Sequence, residues 1–187
     1  MHGDNNWTLS QACHENIEAE ANFGAGRLLF LRDRFTQEAL DLSLSLASVK
    51  LLHGEFGNTF SSTLWRFVET VGTERPIIGM ISCHPHVSKR PADFNPADPC
   101  RHCIQSPAFA EHFGSLTEID LFEAVASYCA PKMGGPLGTA ELILTDDNGD
   151  EHRFVFESFF IRYRAPAVGE ALTLGVYEGP AARMVAV

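Results

Sequence analysis

The stretch from Ala140 to Tyr163 constrains this chain most. Ala140-Glu141-Leu142-Ile143-Leu144-Thr145 is a short, largely apolar run. Asp146-Asp147-Asn148-Gly149-Asp150 follows as a cluster of turn formers. From His152 to Tyr163 the aromatics Phe154 and Phe156, then Phe159 and Phe160, are spaced as a strand spaces them. Two runs of strand character joined through Asn-Gly predict a β-hairpin, because that dipeptide accepts the positive φ angles a tight hairpin turn requires. The acidic turn lacks the alternating ligand spacing and the closing bidentate Glu of a calcium loop, so it reads as a solvated tip. Ile77-Ile78-Gly79-Met80-Ile81 predicts a buried strand and Leu172 to Tyr177 a final one. Residues 117–130 predict a helix, with Leu121, Phe122, Val125 and Cys129 on one face. Thr117 is its expected N-cap and Asp120 stands at the matching capping position. The second half is therefore expected to be an antiparallel sheet with a covering helix, an α+β arrangement.

The first half reads differently. Residues 16–31 carry Ile17, Ala21, Ala25, Leu28 and Leu29 at helical spacing, and residues 36–71 predict two or three further helices. Gly57-Asn58 is a turn signal, and Ser61 or Ser62 is an expected cap for a helix carrying Leu64, Trp65, Phe67 and Val68. Leu46 to Glu69 thus has a helix–turn–helix shape. Gly72 to Pro76 punctuates the chain and marks an expected boundary. The domain reading is 1–35, 36–73 as a helical linker, and 74–187 as the sheet domain. Residues 84–107, with Pro85, Pro91, Pro96, Pro99 and Pro107, predict a long loop.

Charge and composition narrow the partners. The net charge is -10, with no basic stripe, and the candidate recognition helix Ser61 to Thr70 offers Arg66 as its only base. Direct nucleic-acid binding is therefore disfavoured, and Trp65 and Phe67 read as core. No stretch approaches the roughly 20 apolar residues of a membrane span. The start, Met1-His2-Gly3-Asp4, shows no secretory signal pattern. Five cysteines, an odd number at irregular spacing, point to reduced thiols and a cytoplasmic setting.

Three constellations could carry chemistry. Glu18 and Asn22 lie four apart, on one helical face, where a carboxylate and an amide suit a metal ligand and the group that orients it; a solvated Glu is the plainer alternative. Cys83-His84 together with Cys100-Arg101-His102-Cys103 has residue types that a tetrahedral structural zinc takes. A single C-x-x-C and histidines that could lie at the surface argue the other way. A Pro-rich loop between the two halves would need an anchor. Phe154, Phe156 and Phe160 could line a ligand pocket in the sheet, or simply fill its core.

The segment Glu18-Ala19-Glu20-Ala21-Asn22-Phe23-Gly24-Ala25-Gly26-Arg27-Leu28-Leu29 resembles the second zinc-site helix of the ImmA/IrrE-type metallopeptidases. Met1-His2-Gly3-Asp4 resembles the segment just after that family's His-Glu-x-x-His helix. Thr36 to Val71 is similar to its middle domain and the remainder to a GAF-like C-terminal domain. The resemblance implies that Glu18 would bind zinc in an intact parent, with Asn22 beside it. It also implies that the parent would cleave a repressor protein in bacterial stress or mobile-element regulation. Gly24 stands where the family usually has Phe, and Leu31 where it often has Pro. No His-Glu-x-x-His occurs in the chain, and His14-Glu15-Asn16-Ile17-Glu18 puts Glu at the last ligand position. A catalytic zinc takes about three protein ligands, so no zinc is expected on this chain alone. The expectation is the C-terminal part of such a regulator, inactive as given, whether truncated or repurposed. The alternative is a non-catalytic transcription-regulatory or ligand-sensing protein. Its expected partner is a repressor or another protein, with a homodimer allowed.

Overall fold

A computed structural model describes residues 33–163 and 169–181. Three helices come first: α1 (Asp33–Leu40), α2 (Leu46–Phe56) and α3 (Phe60–Val71). Their limits follow from capping. The Ser45 hydroxyl accepts from the Ser48 N–H to open α2, and Gly57 closes it at φ 69°, a left-handed angle that costs glycine little. α3 opens a little earlier than Ser61 or Ser62 would have placed it. Thr59 is its cap, with Oγ1 accepting from the Ser62 N–H at 3.1 Å, while the Thr59 carbonyl takes the Thr63 hydroxyl at 2.8 Å.

The strands are β1 (Ile77–Ser82), β2 (Cys100–Gln105), β3 (Gly135–Thr145), β4 (Glu151–Arg162) and β5 (Gly169–Pro180). They form one five-stranded sheet in the order β2-β1-β5-β4-β3. Every neighbouring pair is antiparallel. Between β2 and β3 lie α4 (Pro107–His112) and α5 (Glu118–Ala126). Thr117 and Asp120 form the expected capping box at the start of α5, which ends at Ala126 rather than 130. The architecture is α+β, as the patterning implied.

Besides a single 3-10 turn at Val87–Lys89, two elements lie where a loop was expected over 84–107. In β2 only Cys100 and Ile104 are buried, too few to leave a period of two. Pro107 sits in the first turn of α4 behind the cap Ser106, where a missing N–H costs nothing.

The sheet separates two hydrophobic cores, because successive side chains of a strand point to opposite faces. On one face Ile77, Ile81, Ile104, Leu172, Leu174 and Val176 pack with Phe35, Val49, Leu52, Leu64, Phe67 and Val68 of α1–α3. On the other, Ile78, Met80, Phe154, Phe156 and Phe160 pack with Phe109 of α4, Phe113, and Leu121, Phe122 and Val125 of α5. The helices up to Val71 therefore share a core with the sheet. The expected boundary at 73/74 is a turn in the chain, and the packing continues across it. Gly175 of β5 permits the second core to close: a Cβ there would meet the Phe156 ring at 2.5 Å and Ile78 Cγ2 at 2.7 Å. No described helix is long and apolar enough to cross a membrane.

Candidate functional site

The α5-covered face gathers residues that the sequence placed in two separate constellations. Cys100 opposes Ser82, and Cys103 opposes Met80, across the β1–β2 ladder. Cys83 follows directly on Ser82. Cys83 and Cys103 pack against the same core that contains Cys100, Phe154, Phe156 and Phe160. The His84 ring lies 4.9 Å from Phe160, tilted across it. Phe154 and Phe156 are fully buried and Phe160 nearly so. Their rings fill the core, with Phe154 edge-on to Phe109 and Phe113.

The chemistry of the four proposed zinc ligands differs from what spacing suggested. His84 is buried, and both of its ring nitrogens are engaged: Nδ1 accepts from the His86 N–H at 3.1 Å, and Nε2 donates to the Lys132 carbonyl at 3.0 Å. That pairing fixes the neutral tautomer, and burial holds the imidazole below its ordinary value. Ligation by His84 would break a hydrogen bond. Burial likewise pushes up the thiols of Cys83 and Cys100, and that of Cys103 to about 11. The Glu118 carboxylate, which accepts from the Cys100 N–H at 3.3 Å, pushes Cys100 and Cys103 the same way. Protonated thiols are weak nucleophiles and weak ligands. Among the described residues no group of three His, Cys, Asp or Glu is placed to hold a metal ion. Glu18 and Asn22 lie outside the described residues.

Two features of this face were not singled out from sequence. The first is a chain of hydroxyls set into the apolar surface: Tyr128 Oη to Ser158 Oγ at 2.7 Å, and Ser158 Oγ to Thr173 Oγ1 at 2.7 Å. Ser158 and Thr173 are buried. The signal was present, since Ser158 stands in step with Phe156 and Phe160 and so had to point inward. The second is Arg90, whose guanidinium lies 4.6 Å from the Phe94 ring and 5.1 Å from that of Phe122. It provides the anchor that the Pro-rich loop was expected to need. Nothing in the local pattern marks a loop arginine as half-buried between two rings.

The opposite face of the sheet connects to this one through adjacent residues. Glu157, next to Ser158, accepts the Leu46 N–H at 2.9 Å and so helps cap α2. Glu170 of β5 accepts from Ser61 of α3 at 3.0 Å and from Tyr163 at 2.6 Å, and pairs with Arg101. Trp65 of α3, expected in the core, is 38% exposed; it meets the His102 ring edge-on at 5.0 Å and donates to Glu69 at 2.7 Å. At the far end of β4 an open hollow of about 450 Å³ is lined by Gly149, Asp150, Glu151, His152, Pro180 and Ala181.

No family model matches the chain, and no curated protein matches it. Among solved structures it is similar to a Mycobacterium tuberculosis transcriptional regulator, with a TM-score of 0.50 and 17% sequence identity over 92% of this chain. The match covers 55% of that protein, so the chain spans about half its length. At that identity the likeness concerns the fold alone.

Proposed function

We propose that this chain is a non-catalytic module of a transcription-regulatory protein. The α5-covered face of its sheet responds to a small ligand, and the helices on the other face engage a protein partner. The observation that carries the reading is the alternation along β4: Ser158 belongs to the buried hydroxyl chain, while its neighbour Glu157 caps α2. A shift of β4 that reorders the hydroxyls must also move the carboxylate at the start of α2, because a strand is stiff over so short a span. Buried polar chains are costly unless fully paired, which makes them natural places for a ligand to act.

The likeness of the fold to that of a transcriptional regulator supports this reading. In it, the sheet unit is GAF-like and α2–α3 are helix–turn–helix-like. The outward side of α3 favours a protein partner over DNA: Arg66 lies 3.7 Å from Glu69 and the net charge is -10. The free cysteines suit a reducing, cytoplasmic setting. The resemblance of residues 18–29 to a metallopeptidase helix would tie the module to an ImmA/IrrE-type parent. Its cleavage activity is not carried over, since Glu18 supplies one ligand where about three are required.

A thermal-shift screen of small metabolites against the full chain, run beside zinc and a chelator, tests the proposal. The expected result is stabilisation by one chemical class of ligand and no response to zinc or chelator. Stabilisation by zinc that is reversed by chelator and lost in Glu18→Gln would refute it.

A further inference from the structure

The connection from β1 to β2 runs from Cys83 to Pro99 and contains Pro85, Pro91, Pro96 and Pro99. Local turns shape it, with the Phe94 N–H bonded to the Pro91 carbonyl and the Asp98 N–H to that of Asn95. Arg90 ties its middle to the body of the protein. Nε donates to the Pro85 carbonyl at 3.1 Å, and a terminal nitrogen donates to Glu123 Oε1 of α5 at 3.1 Å. The guanidinium also lies over both Phe94 of the loop and Phe122 of α5, two rings that stack with centroids 5.7 Å apart. Arg90 is only 16% exposed in this position, while Glu123 is 56% exposed. The ion pair is therefore screened by water, and the stacking carries more of the attachment.

Phe94 packs on the same core surface as Cys83, Cys103 and Cys100. We infer that the stretch from Val87 to Asp98 is a lid clamped by Arg90, and that its opening sets how far the half-buried thiols of Cys83 and Cys103 and the buried thiol of Cys100 meet solvent. His84 holds the start of the connection to Lys132 and Phe160. From Val87 to Asp98, however, only Arg90 and Phe94 are not exposed, so that stretch can open locally while the sheet stays folded. Proline stiffens the loop and lets it swing with little gain of disorder. This inference does not depend on the regulatory reading. Cys129 provides an internal standard: it is buried in the same core but comes after α5 rather than on β1, β2 or their connection.

Alkylation by iodoacetamide tests the lid. Each event forms one S–C bond, expels iodide and leaves the thiol proton to the buffer. The rates are followed cysteine by cysteine, by mass spectrometry of the full chain carrying Cys13→Ser. Arg90→Ala is expected to label Cys83 and Cys103 about tenfold faster than the parent, with Cys129 unchanged. Arg90→Lys keeps the charge but not the planar stack, and is expected to fall between the two. Should Arg90→Ala fail to fold, Glu123→Gln removes one tie and is expected to give a smaller rise at the same two thiols. Unchanged labelling at Cys83 and Cys103, or a rise at Cys129 in step with them, would overturn the inference.

Discussion

Single residues set the energetics of the α5-covered face. Ser158 bonds to both Tyr128 and Thr173, so Ser158→Ala leaves the buried Thr173 hydroxyl and the half-buried Tyr128 hydroxyl without their partner. We expect it to cost about 2 kcal/mol, more than the roughly 1 kcal/mol of Tyr128→Phe, because stranding partners costs more than deleting a terminal group. Urea denaturation of the two variants measures the difference. Three further residues, His84, Asp146 and Asp147, give stability a pH dependence on the acid side. His84 is held below its ordinary value, chiefly by burial. The folded form therefore binds fewer protons than the unfolded chain, and the His84 contribution is complete above about pH 6.5 and fades as pH falls through the lower folded value. Asp146 is held low by the Asp150 N–H first, with His152 and the Asn148 N–H adding to it. Its contribution is complete above the unfolded carboxylate value near 4, about where acid loss of paired carboxylates begins, and is lost as pH falls through the lower folded value. Denaturation midpoints across pH should fall in two stages, and Asp146→Asn should shrink the lower one only, since Asp147, held low by Ser115 first and by the Gly114 N–H, shares it.

At the scale of elements, what the sequence disclosed depended on whether a local signal was complete. The capping box of α5 was legible because Thr117 and Asp120 stand at the required spacing, and both of its hydrogen bonds form. Thr117→Ala is expected to cost about 1 kcal/mol, read from the urea midpoint. The hairpin was legible for the same reason. Gly149 turns at φ 86°, and its N–H reaches the Asp146 carbonyl at 3.0 Å. β2 was hidden because an edge strand needs few apolar residues, and α4 because a proline at a helix start looks like loop punctuation. The candidate site was legible only as separate parts. Spacing showed Cys83, Cys100 and Cys103, and alternation showed Phe154, Phe156 and Phe160. That one sheet face would hold all six is a property of the strand order β2-β1-β5-β4-β3, which no local pattern encodes. The occupied nitrogens of His84 were likewise invisible, since one partner is a carbonyl at Lys132, far along the chain.

For the whole molecule, the decisive fact is that one sheet carries a core on each side. Ile77, Ile81, Leu172, Leu174 and Val176 are covered by α1–α3. A chain starting at residue 74 would expose that entire face, so we expect it to aggregate rather than fold, as judged by size-exclusion chromatography. The same fact makes the regulatory reading physically workable, because the layer that would meet a partner and the layer that would meet a ligand share β1, β2, β4 and β5 between them. The most direct measurement is equilibrium urea unfolding of the full chain carrying Trp7→Phe, followed by two probes. Trp65 fluorescence reports the helical face, and the reactivity of Cys129 reports the other. The account predicts coincident transitions with one midpoint. Two separated transitions, with Trp65 released while Cys129 stays protected, would contradict it.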